Sequence, residues 1–306
     1  MKLLNQLWRI LFRITKTQNG PKKVKTYGNL NNVSQEYEKQ IESGKILILG
    51  TLSARSGTRW LCDIFSHHKN AIGSIERFRV AESFYRYIKY NNLPIDCSGI
   101  IRLIKKGILQ DWEKVDLSLV FSPYFSHSIL ELYNELKPQR IIFAINDPEF
   151  TVTSLYNKGH FKETYYRDSP NLILGYQPEL GERWCHFFGR IVPNDDFYST
   201  WEKLTRIGKI SWWGNKINMD IYQQLQEIPK EKIWIFKLKE ADQNYDYYRR
   251  LANEFNLRPL LEEEGFLAIK EATVKDSHNI KREWTERERA EFLLYTKEWT
   301  ELYRTL

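Results

Sequence analysis

Cysteine is scarce in this chain. Among 306 residues there are only Cys62, Cys97 and Cys185, widely separated and without a C-x-x-C pair. That argues against a disulfide framework and fits a reducing compartment, so a cytoplasmic location is expected. No H-E-x-x-H helix and no EF-hand loop is present, so no metal site is expected. There is also no zinc-finger spacing and no RNA-binding aromatic signature, and lysine and arginine are spread along the chain. Nucleic acid is therefore not an expected partner. Residues 2–16 carry Leu3, Leu4, Leu7, Trp8, Leu11 and Ile14 on one helical face, with Lys2, Arg9, Arg13 and Lys16 interspersed. The stretch is too short and too charged to span a bilayer, and it lacks the small-residue cleavage site of a signal peptide. It suits either peripheral contact with an anionic membrane surface or packing on the domain. There is no internal repeat, and oligomeric state is not legible.

What is present is ample material for a core: 42% hydrophobic and 14% aromatic residues. Net charge is +7, with a pI near 9.0, which suits a polyanionic small molecule. Residues 1–24 read as the basic amphipathic segment and a polar linker with Gly20-Pro21, and 25–306 as a single domain. Buried-strand patterns occur at 46–49, 71–75, 116–121, 141–145 and 232–237. Helical patterns stand between them, including 33–43 and 128–136, the latter closed by Pro138. This alternation predicts an α/β fold, a central parallel sheet flanked by helices. Residues 160–215 are rich in aromatics and read as an insertion-like helical and loop region that shapes a binding pocket, with plain core packing as the alternative for most of its rings. The chain closes on a helix with a capping box, Thr285 to Glu288, and an apolar face through Leu293, Trp299 and Leu302.

The most informative stretch is 45–61, KILILGTLSARSGTRWL. An apolar strand ends at Gly50, a loop of small and hydroxyl residues follows, and Trp60, Leu61, Ile64 and Phe65 recur at helical spacing. A loop of this kind presents backbone N–H groups at a helix N-terminus, where they hold an anion. The Walker A pattern G-x-x-x-x-G-K-[ST] does not fit: Gly50 and Gly57 are too far apart and Thr58, not lysine, follows Gly57. The basic residue, Arg55, instead precedes Ser56-Gly57-Thr58. This order resembles the 5′-phosphosulfate loop of the sulfotransferases that use 3′-phosphoadenosine 5′-phosphosulfate (PAPS). The resemblance implies a P-loop NTPase-like sulfotransferase fold, PAPS as co-substrate and PAP as product, and no metal. It implies a hydroxyl- or amine-bearing small metabolite or glycolipid as acceptor. Ser53, Ala54, Arg55, Ser56, Gly57, Thr58 and Arg59 would then hold the 5′ end of the nucleotide. Arg59 stands where the family often has a second threonine.

A second stretch, RIIFAINDPEFTVTSLYNKGH at 140–160, resembles the family's 3′-phosphate segment: an apolar strand, then Asp147-Pro148, then Ser154 on the next helix. The resemblance assigns Asn146 and Ser154 to the 3′-phosphate. Asn146 replaces the family's usual arginine and so brings neither its charge nor its bidentate fork. Arg140 and Lys158 are the candidates to compensate. Late in the chain Lys239-Glu240-Ala241 follows a strand pattern, and Lys275, Ser277, His278, Lys281 and Arg282 form a basic stretch where the family folds a loop over the nucleotide. Lys281 and Arg282 are therefore candidate nucleotide contacts.

Sulfuryl transfer needs in-line placement, stabilised charge on the bridging oxygen, and a base for the acceptor proton. Arg55 is the candidate for the leaving phosphate. Glu76, just after the strand pattern 71–75, falls where many family members carry their catalytic glutamate; Glu82 is a second carboxylate nearby. His127 is the best of the histidine candidates, ahead of His67 and His68. The rival readings are a P-loop kinase-like phosphotransferase and a degenerate family member that binds nucleotide without turnover.

Overall fold

The computed structural model describes residues 30, 32–52, 55–161, 190–241, 244–273 and 282–306. Its centre is one five-stranded sheet: β1 (Ile46–Leu52), β2 (Ala71–Ile75), β3 (Leu117–Ser122), β4 (Arg140–Ile145) and β5 (Ile233–Lys237). The spatial order is β2-β3-β1-β4-β5, and every neighbouring pair is parallel. Parallel sheets need both faces covered, and the strands alternate accordingly. Leu47, Leu49, Ile141, Phe143 and Ile145 join one core layer. Ile48, Leu52, Ile142 and Ala144 join the other.

The helices, in chain order, are α1 (Val33–Glu42), α2 (Thr58–Ser66), α3 (Arg79–Tyr90), α4 (Ser98–Trp112), α5 (Ile129–Leu136) and α6 (Pro148–Asn157). They continue with α7 (Tyr198–Glu202), α8 (Arg206–Leu225), α9 (Leu238–Ala241), α10 (Tyr245–Glu254), α11 (Glu263–Thr273), α12 (Glu286–Tyr295) and α13 (Lys297–Thr305). On one face α2 packs its Trp60, Leu61, Ile64 and Phe65 with Tyr248 and Leu251 of α10 and Phe266 of α11. Residues from α1, α4, α5, α6 and α8 build the other face. Each such fully buried side chain contributes roughly 1.5–3 kcal/mol. Gly50 is required by the sheet itself, because a Cβ there would lie 2.1 Å from the Phe121 ring on β3.

The sheet order decides where a ligand can bind. After β1 the chain crosses to β2 on one side; after β4 it goes to β5 on the other. Loops leaving two adjacent strands in opposite directions open a crevice at the carboxyl ends of those strands. Here that crevice lies between β1 and β4.

The C-terminal helix expected from the sequence is two helices, broken at Thr296, whose hydroxyl donates to the Phe292 carbonyl at 2.8 Å. Trp299 and Leu302 are buried, but Leu293 is 64% exposed and lies off the apolar face to which it was assigned. The capping box of Thr285 and Glu288 is present. In the aromatic-rich region, residues 162–189 lie outside the described residues, as do 1–29. Of its described rings, Phe161, Trp201 and Trp213 are buried, Trp201 against Phe161, Tyr198 and Trp212.

Candidate functional site

The loop between β1 and α2 is built around two left-handed residues, Arg55 (φ 72°) and Gly57 (φ 77°). Glycine adopts that conformation freely; arginine does so at a cost. Gly57 is also pinned sterically, since a Cβ would sit 2.6 Å from Leu238 at the start of α9. Gly57 caps α2 without a side-chain hydrogen bond, and no acidic residue occupies the first turn. The positive end of the helix is thus not neutralised by a neighbouring carboxylate of its own. Ser56 and Thr58 are buried in the turn. Ser53 and Ala54 lie outside the described residues.

Across the crevice, β4 ends and Asp147 caps α6, its carboxylate accepting the Phe150 N–H at 2.9 Å with Pro148 in the first turn. The two segments are tied together twice. The Nε of Arg55 donates to Ser154 Oγ at 2.7 Å. The Asn146 Nδ2 donates to the Arg55 carbonyl at 3.0 Å, while its Oδ1 accepts the Asp147 N–H at 2.8 Å. Asn146 is buried. Its amide is therefore engaged on both sides by backbone, and it shapes the loop that carries Arg55.

Burial pulls the Arg55 guanidinium below its ordinary pKa, and the nearby Arg59 adds to the effect. Lys158, at the C-terminal end of α6, is lowered first by partial desolvation and then by Arg55 and Arg59, with Glu76 opposing. Arg55, Arg59 and Glu76 thus lie within electrostatic reach of Lys158 at the carboxyl edge of the sheet. Arg140 does not join them. It starts β4, roughly 16 Å of strand away, where it pairs with Glu254 at 3.1 Å.

Glu76 directly follows β2 in a left-handed conformation (φ 47°), and its N–H extends the ladder to the Phe121 carbonyl at 2.9 Å. Its carboxylate meets Arg79 Nε at 2.9 Å. Glu82, in α3, is buried: it accepts the Phe78 N–H at 3.0 Å and the Ser122 hydroxyl at 2.7 Å. Burial pushes its pKa up to about 7, with Glu76 adding and the two hydrogen bonds opposing.

His127 is held differently. Its Nδ1 lies 3.0 Å from Asp220 Oδ2 on α8, and its ring lies 5.1 Å from that of Tyr90. Burial lowers its pKa despite Asp220. The Nε2 is enclosed and has no hydrogen-bond partner among the described residues. His67 and His68 close α2 at the opposite edge of the sheet, where His68 bonds the Ile64 carbonyl and the Tyr248 hydroxyl. A surface cleft of about 420 Å³ lined by Lys45, Lys69, Trp112 and Arg258 also opens at that opposite edge.

Arg282 stacks over the Tyr156 ring at 4.9 Å and pairs with Glu288. Arg206 covers the same ring at 3.8 Å. The start of the last helical pair is thereby docked on α6, two residues beyond Ser154. Lys281 lies outside the described residues. A further cation, Arg86, was not singled out from the sequence. It is fully buried, donates to Ser126 Oγ at 3.1 Å and to the Pro123 carbonyl, and faces Tyr124 and Trp213. Burial lowers its pKa to about 10. The signal was available: Arg86 lies four residues after Glu82, on the same buried stripe of α3.

No family model matches the chain. No curated protein matches it either. Among solved structures, the sulfotransferase STF9 from Mycobacterium avium is similar over 89% of this chain and 81% of its own, with a TM-score of 0.50 and 13% sequence identity. The chain has an α/β sulfotransferase fold. At this identity the likeness concerns the fold, and the chemistry must be argued from the residues. Among the described residues of this sulfotransferase fold, no cluster of His, Cys, Asp or Glu is arranged to hold a metal ion. No described helix is long and apolar enough to cross a membrane.

Proposed function

We propose that the chain is a sulfotransferase that moves the sulfuryl group of PAPS to a hydroxyl or amine of a small-molecule or glycolipid acceptor. The observation that carries this reading is the bond of Arg55 to Ser154 across the crevice between β1 and β4, with Arg59 and Lys158 beside it. A site that gathers like charges without equal carboxylates is suited to a polyanion. The strand, left-handed turn and helix N-terminus add backbone donors.

In the proposed reaction the acceptor heteroatom attacks sulfur, the bond from sulfur to the bridging oxygen of the 5′-phosphate breaks, and that oxygen keeps the electron pair. Arg55 stabilises the charge that develops there, the kind of preorganised contact worth roughly 100-fold or more in rate. Glu76 takes the acceptor proton. Its place at the carboxyl end of β2, within electrostatic reach of Lys158, supports it over His127, whose free ring nitrogen is enclosed. The reaction as written needs no metal.

The test is an acceptor screen with sulfur-labelled PAPS and mass detection of products. Labelled product with the wild-type chain, and none above background with Arg55→Ala, is the expected result. Tight binding of PAP with no transfer to any acceptor would leave a nucleotide-binding protein and overturn the enzymatic reading. Magnesium-dependent phosphoryl transfer from ATP would replace it with a kinase reading.

A further inference from the structure

The donor reading asks this site to hold two separate anionic groups, and only one has an obvious cationic partner in Arg55. The strand end at the second position carries Asn146, whose amide is committed to the Arg55 carbonyl and the Asp147 N–H. A neutral amide, even one with an N–H to spare, does not balance a phosphate dianion. We propose that Lys158 supplies this charge: it is the residue that recognises the 3′-phosphate of the nucleotide. This inference rests on the sulfotransferase reading above.

The placement follows from helix geometry. The Lys158 N–H donates to the Ser154 carbonyl at 3.1 Å, so helical spacing persists to the end of α6. Residues four apart share a face. Ser154 points toward the β1 loop, because its hydroxyl accepts from Arg55. Lys158 therefore projects from the same face one turn further on. It also sits at the carboxyl end of the helix, where an ammonium is favoured before any ligand arrives. No carboxylate is within ion-pair distance of it among the described residues, and it is exposed, so its side chain can reach a ligand without disturbing the core. Partial desolvation lowers its pKa first, and the repulsion of Arg55 and Arg59 adds to it; a phosphate would relieve that second part.

The arrangement separates two tasks that a single strand-end arginine would combine. Asn146 fixes the loop backbone, and Lys158 brings the charge from the next helix. Because lysine is a point charge rather than a fork, discrimination should rest on charge more than on bidentate geometry, and should weaken with salt.

Calorimetry with 3′-phosphoadenosine 5′-phosphate and adenosine 5′-phosphate tests this. The wild-type chain should bind the first more tightly. Lys158→Met should weaken the bisphosphate by ~10- to 100-fold, the range of one charge-assisted contact, and leave the monophosphate within about twofold. Lys158→Arg should restore most of the discrimination. Equal weakening of both nucleotides, or no weakening of either, would overturn the assignment of Lys158 while leaving the donor reading intact. A wild-type chain that does not distinguish the two nucleotides would overturn the donor reading itself.

Discussion

The Nε of Arg55 donates to the hydroxyl of Ser154 at 2.7 Å, joining the loop after β1 to the helix after β4. This bond spans the crevice and gives the part-buried guanidinium a fixed direction. Arg55→Ala should leave the fold intact, since the side chain lies at a surface crevice rather than in either core layer. It should lower sulfuryl transfer by at least ~100-fold, the scale of losing one oxyanion contact. Turnover measured with labelled PAPS decides it: near-normal rates would remove Arg55 from the chemistry. Ser154→Ala should have a smaller effect, because it frees Arg55 without removing its charge.

Asn146 acts on the same loop from beneath. Asn146→Ala leaves the part-buried Arg55 carbonyl and Asp147 N–H without their partners. Such a loss costs about 1–3 kcal/mol. Urea denaturation should show a lower midpoint with an unchanged slope. An unaltered midpoint would mean that the amide does not hold the loop.

Glu76→Gln keeps the shape of the side chain and removes the proton acceptor. Turnover should fall by roughly 100- to 10,000-fold, the span of general acid–base catalysis, with PAP affinity unchanged by calorimetry. His127→Ala should instead lower thermal stability, because the enclosed His127 ring ties the turn after β3 to the part-buried Asp220 of α8. If His127→Ala abolishes transfer and Glu76→Gln does not, the base is misassigned.

Glu82 should make stability depend on pH. Its folded pKa is raised from the ordinary 4.5 to about 7, by burial first, with Glu76 adding and Arg77 opposing. Between those values the unfolded chain has lost the proton that the folded chain still holds. Stability from this group is therefore intact below pH 4.5, falls as pH rises toward 7, and stays low above it. At ~1.4 kcal/mol per unit the full effect is about 3 kcal/mol. Glu82→Gln retains an acceptor for the Phe78 N–H and offers an N–H to Ser122 Oγ. Its denaturation free energy should lack this slope and exceed that of the wild type at pH 8. Identical pH profiles for the two proteins would show that Glu82 titrates normally.

The sequence by itself determined the strands and the turn that joins β1 to α2. These are local matters: the five strands are short apolar runs, although β1 continues two residues past the expected end at Gly50, to Leu52, because Thr51 and Leu52 still pair in the sheet, and the Arg-Ser-Gly-Thr order fixes a turn within a few residues. Helix boundaries were legible where capping was local, as at Thr285 and Glu288. They failed at Thr296, where one amphipathic reading was carried across a break and Leu293 was placed inside. What only the tertiary structure decided is which distant residues meet. The strand order β2-β3-β1-β4-β5 brings Arg55 and Ser154, 99 positions apart, into contact. It puts Lys158 beside the loop and leaves Arg140 at the far end of β4, although both are basic residues flanking the same motif. It folds Asn146 onto the Arg55 carbonyl and closes α8 over His127. Sequence patterning records which face of an element is buried, because that depends on spacing along one segment. The partner across the crevice depends on how segments are ordered in the sheet, and no local pattern encodes that.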